Sequence, residues 1–247
     1  MIIDINDYLR RFVNAYLSGA EKNSINAIRS GKIINNIHNY VIDYLKYKKV
    51  REEYITPEKK CKGYFKTKKQ DILVTKSQSK ICFEPELSIN VRSQMSSIQK
   101  NYDTLYERLI AEAVNLHEEY PNLVCGYLYL LPTIGLDSKD LSKGIINPRE
   151  QYNLEQYIES FLIISGRHSK EDAIYKYEAF GLILIDLDSN GNFKLVTDLD
   201  YLVAIKRISK KFADEFRVRF NELSPLLFME RLIKEYDHRK GLRNILE

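Results

Sequence analysis

The chain has 247 residues, of which 44% are hydrophobic and 29% charged, and its formal net charge is +4. This composition is ordinary for a globular protein that can bury a sizeable core, and it excludes a low-complexity chain. The length fits one large domain, or a core with an appended piece.

The sequence lacks the motifs of several other classes of protein. The N-terminus lacks a signal-peptide layout, and no apolar run approaches the length of a membrane span. Three widely spaced cysteines contain no CxxC pair, so we expect a reduced, cytoplasmic setting with no membrane partner. No nucleophile elbow, GxxxxGK[ST] loop or GxGxxG fingerprint supports a serine hydrolase, a P-loop protein or a dinucleotide-binding protein.

The N-terminal part of the chain is predicted to be helical, over residues 4–18 and 33–53. A strongly basic segment follows: from Lys46 to Lys69 there are ten Lys or Arg residues against three Glu, a local net charge of +7. Four aromatic residues are interleaved with these lysines. The segment is either a solvated surface or a contact surface for a phosphate backbone.

The middle of the chain predicts strands and one long helix. The predicted strands are 71–75, 80–84, 87–94 and the nearly continuous apolar run 123–131, and the helix covers about 97–119. The strand 87–94 alternates, with apolar residues on one face. Its other face carries Ser88, Asn90, Arg92 and Gln94.

The C-terminal part predicts helices over 150–164 and 169–177, a β-hairpin with Asn190-Gly191 in a type I′ turn, and a mostly helical stretch 199–245. The hairpin string Asp186–Asn192 resembles the first half of a calcium loop, but its twelfth position is Thr197. We therefore interpret it as a turn. The four histidines are scattered without ligand spacing, and we expect each to be an ordinary surface or core residue.

The expected fold class is α/β (α+β), with a central mixed β-sheet flanked by helices and with helical N- and C-terminal additions. The predicted regions are an N-terminal helical region over 1–60, a core over 61–135, and a C-terminal helix and hairpin region over 136–247. We expect this last region to continue the same domain.

Two acidic residues of the core are candidates for metal binding. Asp71 opens the apolar run 72–74, where it is either a turn former or a ligand at the rim of a sheet. Glu112 fits the next step of an apolar helix stripe, where a carboxylate is costly unless it is paired or binds a metal. Alternatively, Ala113 continues the stripe, or Glu112 forms a structural ion pair with a residue such as Arg92.

The stretch Lys68–Pro132 resembles the PD-(D/E)XK nuclease superfamily, and more narrowly the type II restriction endonucleases. The resemblance is carried by Asp71 and by the pattern RSQMSSIQKN…AEAVNLH…YPNLVCGYLYLLP. In that family one strand carries Asp and the next carries (Asp/Glu)-x-Lys. Here the second position reads Asn90-Val91-Arg92, or Arg92-Ser93-Gln94, so neither the acid nor the lysine is standard.

Some restriction enzymes of this superfamily move the second acid to the following helix, and Glu112 is similar to that arrangement. Glu84 and Glu86 are the other candidates. The resemblance implies a restriction-endonuclease-like fold and a Mg²⁺-dependent, sequence-specific double-stranded DNA endonuclease that acts as a homodimer. It implies catalytic roles for Asp71, Arg92, Glu112 and Gln94, and metal binding by Asp71, Glu112 and Glu86.

The DNA contacts we expect are Lys62, Lys66, Lys68, Lys69, Arg92, Gln94, Ser96, Lys100 and Asn101. Arg92 can orient a phosphate but is a poor general base, because guanidinium stays charged. The alternative function is a DNA-binding protein without cleavage, either a regulator or an inactive relative of the nucleases. A purely structural protein with a solvated basic segment is a further alternative.

Overall fold

The computed structural model describes residues 3–21, 33–143 and 145–247. Its first helices are α1 (Ile5–Glu21) and α2 (Asn35–Tyr47). The strands are β1 (Ile55–Pro57), β2 (Lys60–Cys61), β3 (Lys68–Lys69), β4 (Ile72–Thr75), β5 (Ile81–Cys82), β6 (Pro85–Ser93), β7 (Val124–Pro132), β8 (Gly135–Leu136), β9 (Pro148–Glu150), β10 (Ala179–Leu187) and β11 (Phe193–Val196). The later helices are α3 (Tyr102–His117), α4 (Ser138–Leu141), α5 (Leu154–Ile163), α6 (Leu199–Ala204), α7 (Lys210–Phe220) and α8 (Phe228–Lys240).

A six-stranded mixed sheet lies at the centre, in the order β1-β4-β6-β7-β10-β11. The strands β6, β7 and β10 are parallel neighbours, whereas β1, β4 and β11 join the sheet antiparallel. All nine residues of β7 are buried, as a continuous apolar run predicts for a strand covered on both faces. The prediction of an α+β chain with a central mixed sheet flanked by helices is confirmed.

Helices cover both faces of this sheet. One face packs against α1, α2 and α8, and Leu128 and Leu130 of β7 belong to that core. The other face packs against α3, α5, α6 and α7, and Tyr129 and Leu131 belong to that second core. Alternate residues of one strand therefore supply two cores, as the pleat of a strand requires.

Two predicted elements differ in the structure because local hydrogen bonds end or replace a helix. The helix predicted over 33–53 ends at Tyr47, since Lys49 has a left-handed backbone with φ 65° and the Val50 amide donates to the Leu45 carbonyl. The helix predicted over 169–177 is absent from this described segment. There the Asp172 carboxylate accepts the amides of His168 and Ser169 at 2.8 and 3.0 Å, which folds a turn instead.

The predicted hairpin is present, but its turn is not type I′. That turn needs positive φ at both Asn190 and Gly191, and only Gly191 of the two has it, at 85°. The Asp188 carboxylate accepts the amides of Asn190 and Asn192 at 2.9 and 2.8 Å. Asp188, the third residue of the calcium-like string, thus holds the turn together through its own hydrogen bonds.

None of the described helices combines the length and the apolar composition that a membrane crossing needs. The division into regions 1–60, 61–135 and 136–247 stays a prediction.

Candidate active site

A cleft of about 290 Å³ opens where β4, β6 and α3 meet. Asp71 directly precedes β4, and the antiparallel pairing of Ile72 with Ile89 puts Asp71 opposite Asn90. The residues lining the cleft are Lys68, Lys69, Asp71, Asn90, Val91, Arg92, Glu112 and Tyr127. Folding therefore brings together two of the three predicted metal-binding acids, Asp71 and Glu112, with the predicted arginine and two of the predicted lysines.

Asp71 is held firmly at the mouth of the cleft. Its main-chain amide donates to Asn90 Oδ1 at 2.8 Å, and its Oδ2 accepts from the Val91 amide at 2.8 Å. The side chain stays 35% exposed, and its Oδ1 has no donor among the residues that the structure describes. One carboxylate oxygen is fixed by the sheet, and the other remains available to a ligand.

Glu112 reaches the same cleft from α3. Its Oε1 accepts from Asn90 Nδ2 at 2.9 Å, and the same amide donates to Gln70 Oε1 at 2.7 Å. The buried stripe of α3 continues through Ala113, so the alternative placing Glu112 at the margin of the stripe is confirmed. Within the described chain no cation is close enough to form a salt bridge with Glu112, Arg92 included.

Burial is the main influence on both carboxylates. It raises the pKa of Glu112, with Asp71 adding to the rise and Lys68, Arg92 and Arg108 opposing it. Burial also raises the pKa of Asp71, while the Val91 amide and His38 oppose the rise. A buried carboxylate whose charge is disfavoured further by a neighbouring carboxylate is a place where a cation is stabilised.

His38 is a member of the site that the sequence did not indicate. Its Nε2 lies 3.8 Å from Asp71 Oδ2, and this buried nitrogen has no hydrogen-bond partner among the residues that the structure describes. Burial lowers the pKa of His38, against the nearby charges of Asp71 and Glu58, which favours the neutral form that binds metals. His38 is a core histidine, as one of the expected alternatives has it, but its unsatisfied nitrogen is unusual, because buried nitrogens are normally satisfied.

Glu86 and Gln94 lie outside the cleft. Glu86 accepts from Tyr236 Oη at 3.0 Å and pairs with Lys240 at 3.3 Å, and it lines a different cavity. Gln94 is buried, accepting from Tyr129 Oη at 2.7 Å and donating to the Ser97 carbonyl at 3.0 Å. The structure thus does not support a metal-binding role for Glu86 or a catalytic and DNA-binding role for Gln94, since both side chains are occupied elsewhere.

The predicted DNA contacts separate into two groups. Lys68 and Lys69 line the cleft, although Lys69 also pairs with Glu58 at 2.7 Å. Lys62, Lys66, Lys100 and Asn101 are exposed and Ser96 is half-buried, and none of them lines the cleft. Their contact with DNA stays a prediction.

A buried ionic cluster on the far side of β7 was also missed. Glu178 Oε1 accepts from Arg167 at 2.8 Å and from Arg239 at 2.5 Å. Its Oε2 accepts from the Cys125 amide at 2.6 Å and lies 3.2 Å from His117 Nε2. His117, Cys125 and Glu178 lie close enough to hold a metal ion. Two guanidinium groups already balance this carboxylate, so we interpret the cluster as an ion-pair network of the core.

Comparison with protein-family models, with curated proteins and with solved structures finds no match to this chain. The functional interpretation therefore depends on the geometry of the cleft.

Proposed function

We propose that this chain is a metal-dependent endonuclease that hydrolyses phosphodiester bonds of double-stranded DNA at a specific site. The observation that carries the proposal is the convergence of Asp71 and Glu112 beside Lys68 and Arg92 in one cleft. Carboxylates that share a cation, next to fixed positive charges, are the groups that phosphodiester hydrolysis requires.

The scaffold supports the proposal. Asp71 enters one strand and Asn90-Val91-Arg92 lies on the neighbouring strand β6, followed by α3 and then by β7 parallel to β6. The resemblance to the PD-(D/E)XK superfamily implies this adjacency of the two motif strands. The restriction-endonuclease-like fold is part of the proposal.

The kinds of donor atom in the cleft suit a divalent cation, but binding would have to draw Asp71, Glu112 and His38 closer together, because the three are not among the described groups whose ligand atoms lie within 4.8 Å of one another. Asp71 and Glu112 supply carboxylate oxygens, as Mg²⁺ prefers, and the unsatisfied Nε2 of His38 beside Asp71 is a nitrogen donor. A nitrogen ligand favours Mn²⁺ over Mg²⁺. When bound, such an ion lowers the pKa of a water and stabilises charge on the phosphate.

The protein groups around the ion would position the substrate. Arg92 forms no salt bridge within the part of the chain that the structure describes, so its guanidinium can bind the scissile phosphate. Lys68 supplies a second cation at the same cleft. Asn90 accepts from the main-chain amide of Asp71 and donates to the Glu112 carboxylate, so it joins the backbone at Asp71 to the side chain of Glu112.

One observation favours a second candidate, a DNA-binding protein without cleavage. Asn90 and Arg92 stand where the family carries an acid and a lysine, and neither residue can abstract a proton from water at neutral pH. A protein of this kind would bind DNA and leave it intact.

Cleavage of both strands at a palindromic site needs two copies of the active site, so we propose a homodimer. Light scattering of the purified protein, with and without DNA, tests this part of the proposal. A monomer in both conditions would contradict it.

Incubation of the protein with plasmid and phage DNA tests the main proposal. We expect discrete fragments with Mg²⁺ or Mn²⁺ and none with EDTA, and we expect Asp71→Ala to abolish cleavage while DNA binding persists. Glu86→Gln is the matched control, because its carboxylate is on β6 outside the cleft. Full activity of Asp71→Ala would overturn the site, and binding without any cleavage would favour the second candidate.

A further inference from the structure

Two large aromatic side chains stand exposed next to the candidate active site. Tyr64 is 59% and Phe65 70% exposed, and their rings pack edge to face with centroids 4.9 Å apart. Exposed apolar residues that occur singly are normal, but an adjacent aromatic pair points to a partner surface. We call residues 63–66 the aromatic loop.

A buried amide holds the aromatic loop in place. Asn115 Oδ1 accepts the amides of Phe65 and Lys66 at 2.8 and 2.9 Å, and its Nδ2 donates to the Lys66 carbonyl at 2.9 Å. A side chain at Gly63 would bring a Cβ within 2.1 Å of Asn115 Nδ2, so only glycine permits this approach. The loop is thus built around Asn115, and its conformation is fixed before any partner binds.

The anchor also sets the distance from the cleft. Asn115 follows Glu112 by three residues on α3, so the two side chains emerge on the same side of the helix, about 5–6 Å apart at their Cβ atoms. The chain leaves the loop and enters β3, whose Lys68 and Lys69 line the cleft. An aromatic pair and a phosphate-binding cleft are therefore neighbours.

The charge around the loop favours one kind of partner. Lys66 is in the loop and exposed, and Lys68 and Lys69 follow it directly. Aromatic faces interleaved with lysines bind the bases and the phosphates of a nucleic-acid strand together, because every base has a stacking surface and every phosphate a negative charge.

We propose that an unstacked nucleobase of the DNA strand whose phosphate occupies the cleft stacks on one ring of the Tyr64–Phe65 pair and contacts the edge of the other, because the two rings lie at 86° to each other. The inference deepens the proposed function, on which it rests, by naming a substrate feature. DNA with an unpaired or easily unpaired base beside the cleavage site is the preferred ligand, since unstacking then costs least.

Fluorescence anisotropy with EDTA present tests the inference without cleavage. The probes are a fluorescein-labelled duplex and the same duplex carrying one unpaired adenine. The double variant Tyr64→Ala/Phe65→Ala is compared with Tyr64→Phe, which keeps the ring. Phe83→Ala is the matched control, because Phe83 is 54% exposed and lines the cavity of Glu86.

We expect the double alanine variant to bind the unpaired probe about 5- to 150-fold more weakly, with a smaller loss on the paired duplex. Tyr64→Phe and Phe83→Ala should match the wild type. Equal binding by the double variant would overturn the inference and leave the proposed nuclease untouched. The expected loss in a protein that never cleaves DNA would keep the inference and overturn the cleavage. No binding by the wild type would overturn both.

Discussion

Replacing Glu112 with glutamine separates a functional carboxylate from a structural one, because the two explanations predict opposite changes in stability. Glutamine keeps the size of the side chain and an oxygen that can accept from Asn90 Nδ2, a bond of 2.9 Å in the structure. Only the negative charge is lost. We expect cleavage to fall about 100-fold or more, the usual cost of removing a ligand or a charge-stabilising group from an active site.

The free energy of unfolding should rise in the same variant. Burial is the largest cause of the raised pKa of Glu112, and Asp71 adds to the rise. The charged form is thus disfavoured in the folded protein, and removing the charge should stabilise it by about 0.5–2 kcal/mol at neutral pH. A structural ion pair would give the reverse, a loss of about 3–5 kcal/mol.

The direction in which the free energy of unfolding changes with pH follows from the raised pKa of Glu112. Because the pKa of Glu112 is raised in the folded state, folding takes up a proton between the ordinary value of 4.5 and the higher folded value. Wild-type stability therefore falls as the pH rises through that window. The Glu112→Gln variant should therefore be more stable than the wild type above pH 4.5 and equally stable below it.

Urea unfolding without divalent metal, at a series of pH values, measures this difference. Glu107→Gln is the matched control, because Glu107 lies on the exposed face of the same helix, and it should leave both stability and cleavage unchanged. A Glu112→Gln variant that is less stable than the wild type at pH 7 would refute the reasoning.

Four further predictions concern the buried ionic cluster, His38 and the aromatic loop. Glu178→Gln should lower the free energy of unfolding by about 3–5 kcal/mol in urea, since it leaves the buried Arg167 unpaired; an effect below 1 kcal/mol would contradict the ion-pair interpretation. Burial opposes ionisation of Glu178, but His117 and Arg239 still lower its pKa to about 2, so wild-type stability should fall as pH decreases from the ordinary 4.5 towards that value. His38→Ala should weaken Mn²⁺ binding, followed by calorimetry, about 10- to 100-fold and Mg²⁺ binding less; equal losses would exclude His38 as a ligand. Gly63→Ala should destabilise the protein by about 1–3 kcal/mol in thermal unfolding, because the new Cβ meets Asn115; an unchanged melting temperature would show that Asn115 moves away freely.

The elements that the sequence predicts best are those whose pattern and burial agree. The apolar run 123–131 became β7 (Val124–Pro132), and all nine residues of this strand are buried, as expected for a strand covered on both faces. The alternation of apolar and polar residues over 87–94 does not show which of the polar side chains are buried. Ser88 and Asn90 are buried, since Gln70 supplies a partner to both, and a pattern of polarity alone cannot show such a partner.

The site was predictable where sequence neighbours create it and not where tertiary packing does. Asp71 was indicated by its place at the start of a strand. His38, by contrast, precedes Asp71 by more than thirty residues and approaches it only because α2 packs against the sheet at β4. Glu178 and its arginines are likewise brought together from separate segments, and only a folded chain shows that they meet.

For Glu112, the structure can be compared directly with the explanations that the sequence offered. Its two structural explanations were a place at the margin of the stripe and an ion pair with Arg92. The first accounts for why the helix tolerates it, and the second is not found within the described residues. What remains is a carboxylate bonded to a neutral amide and facing the charge of Asp71, an arrangement that we expect to lower stability because burial raises the pKa of Glu112. Such costs are retained where a ligand offsets them, and we propose that a divalent cation bound near Asp71 and Glu112 is that ligand.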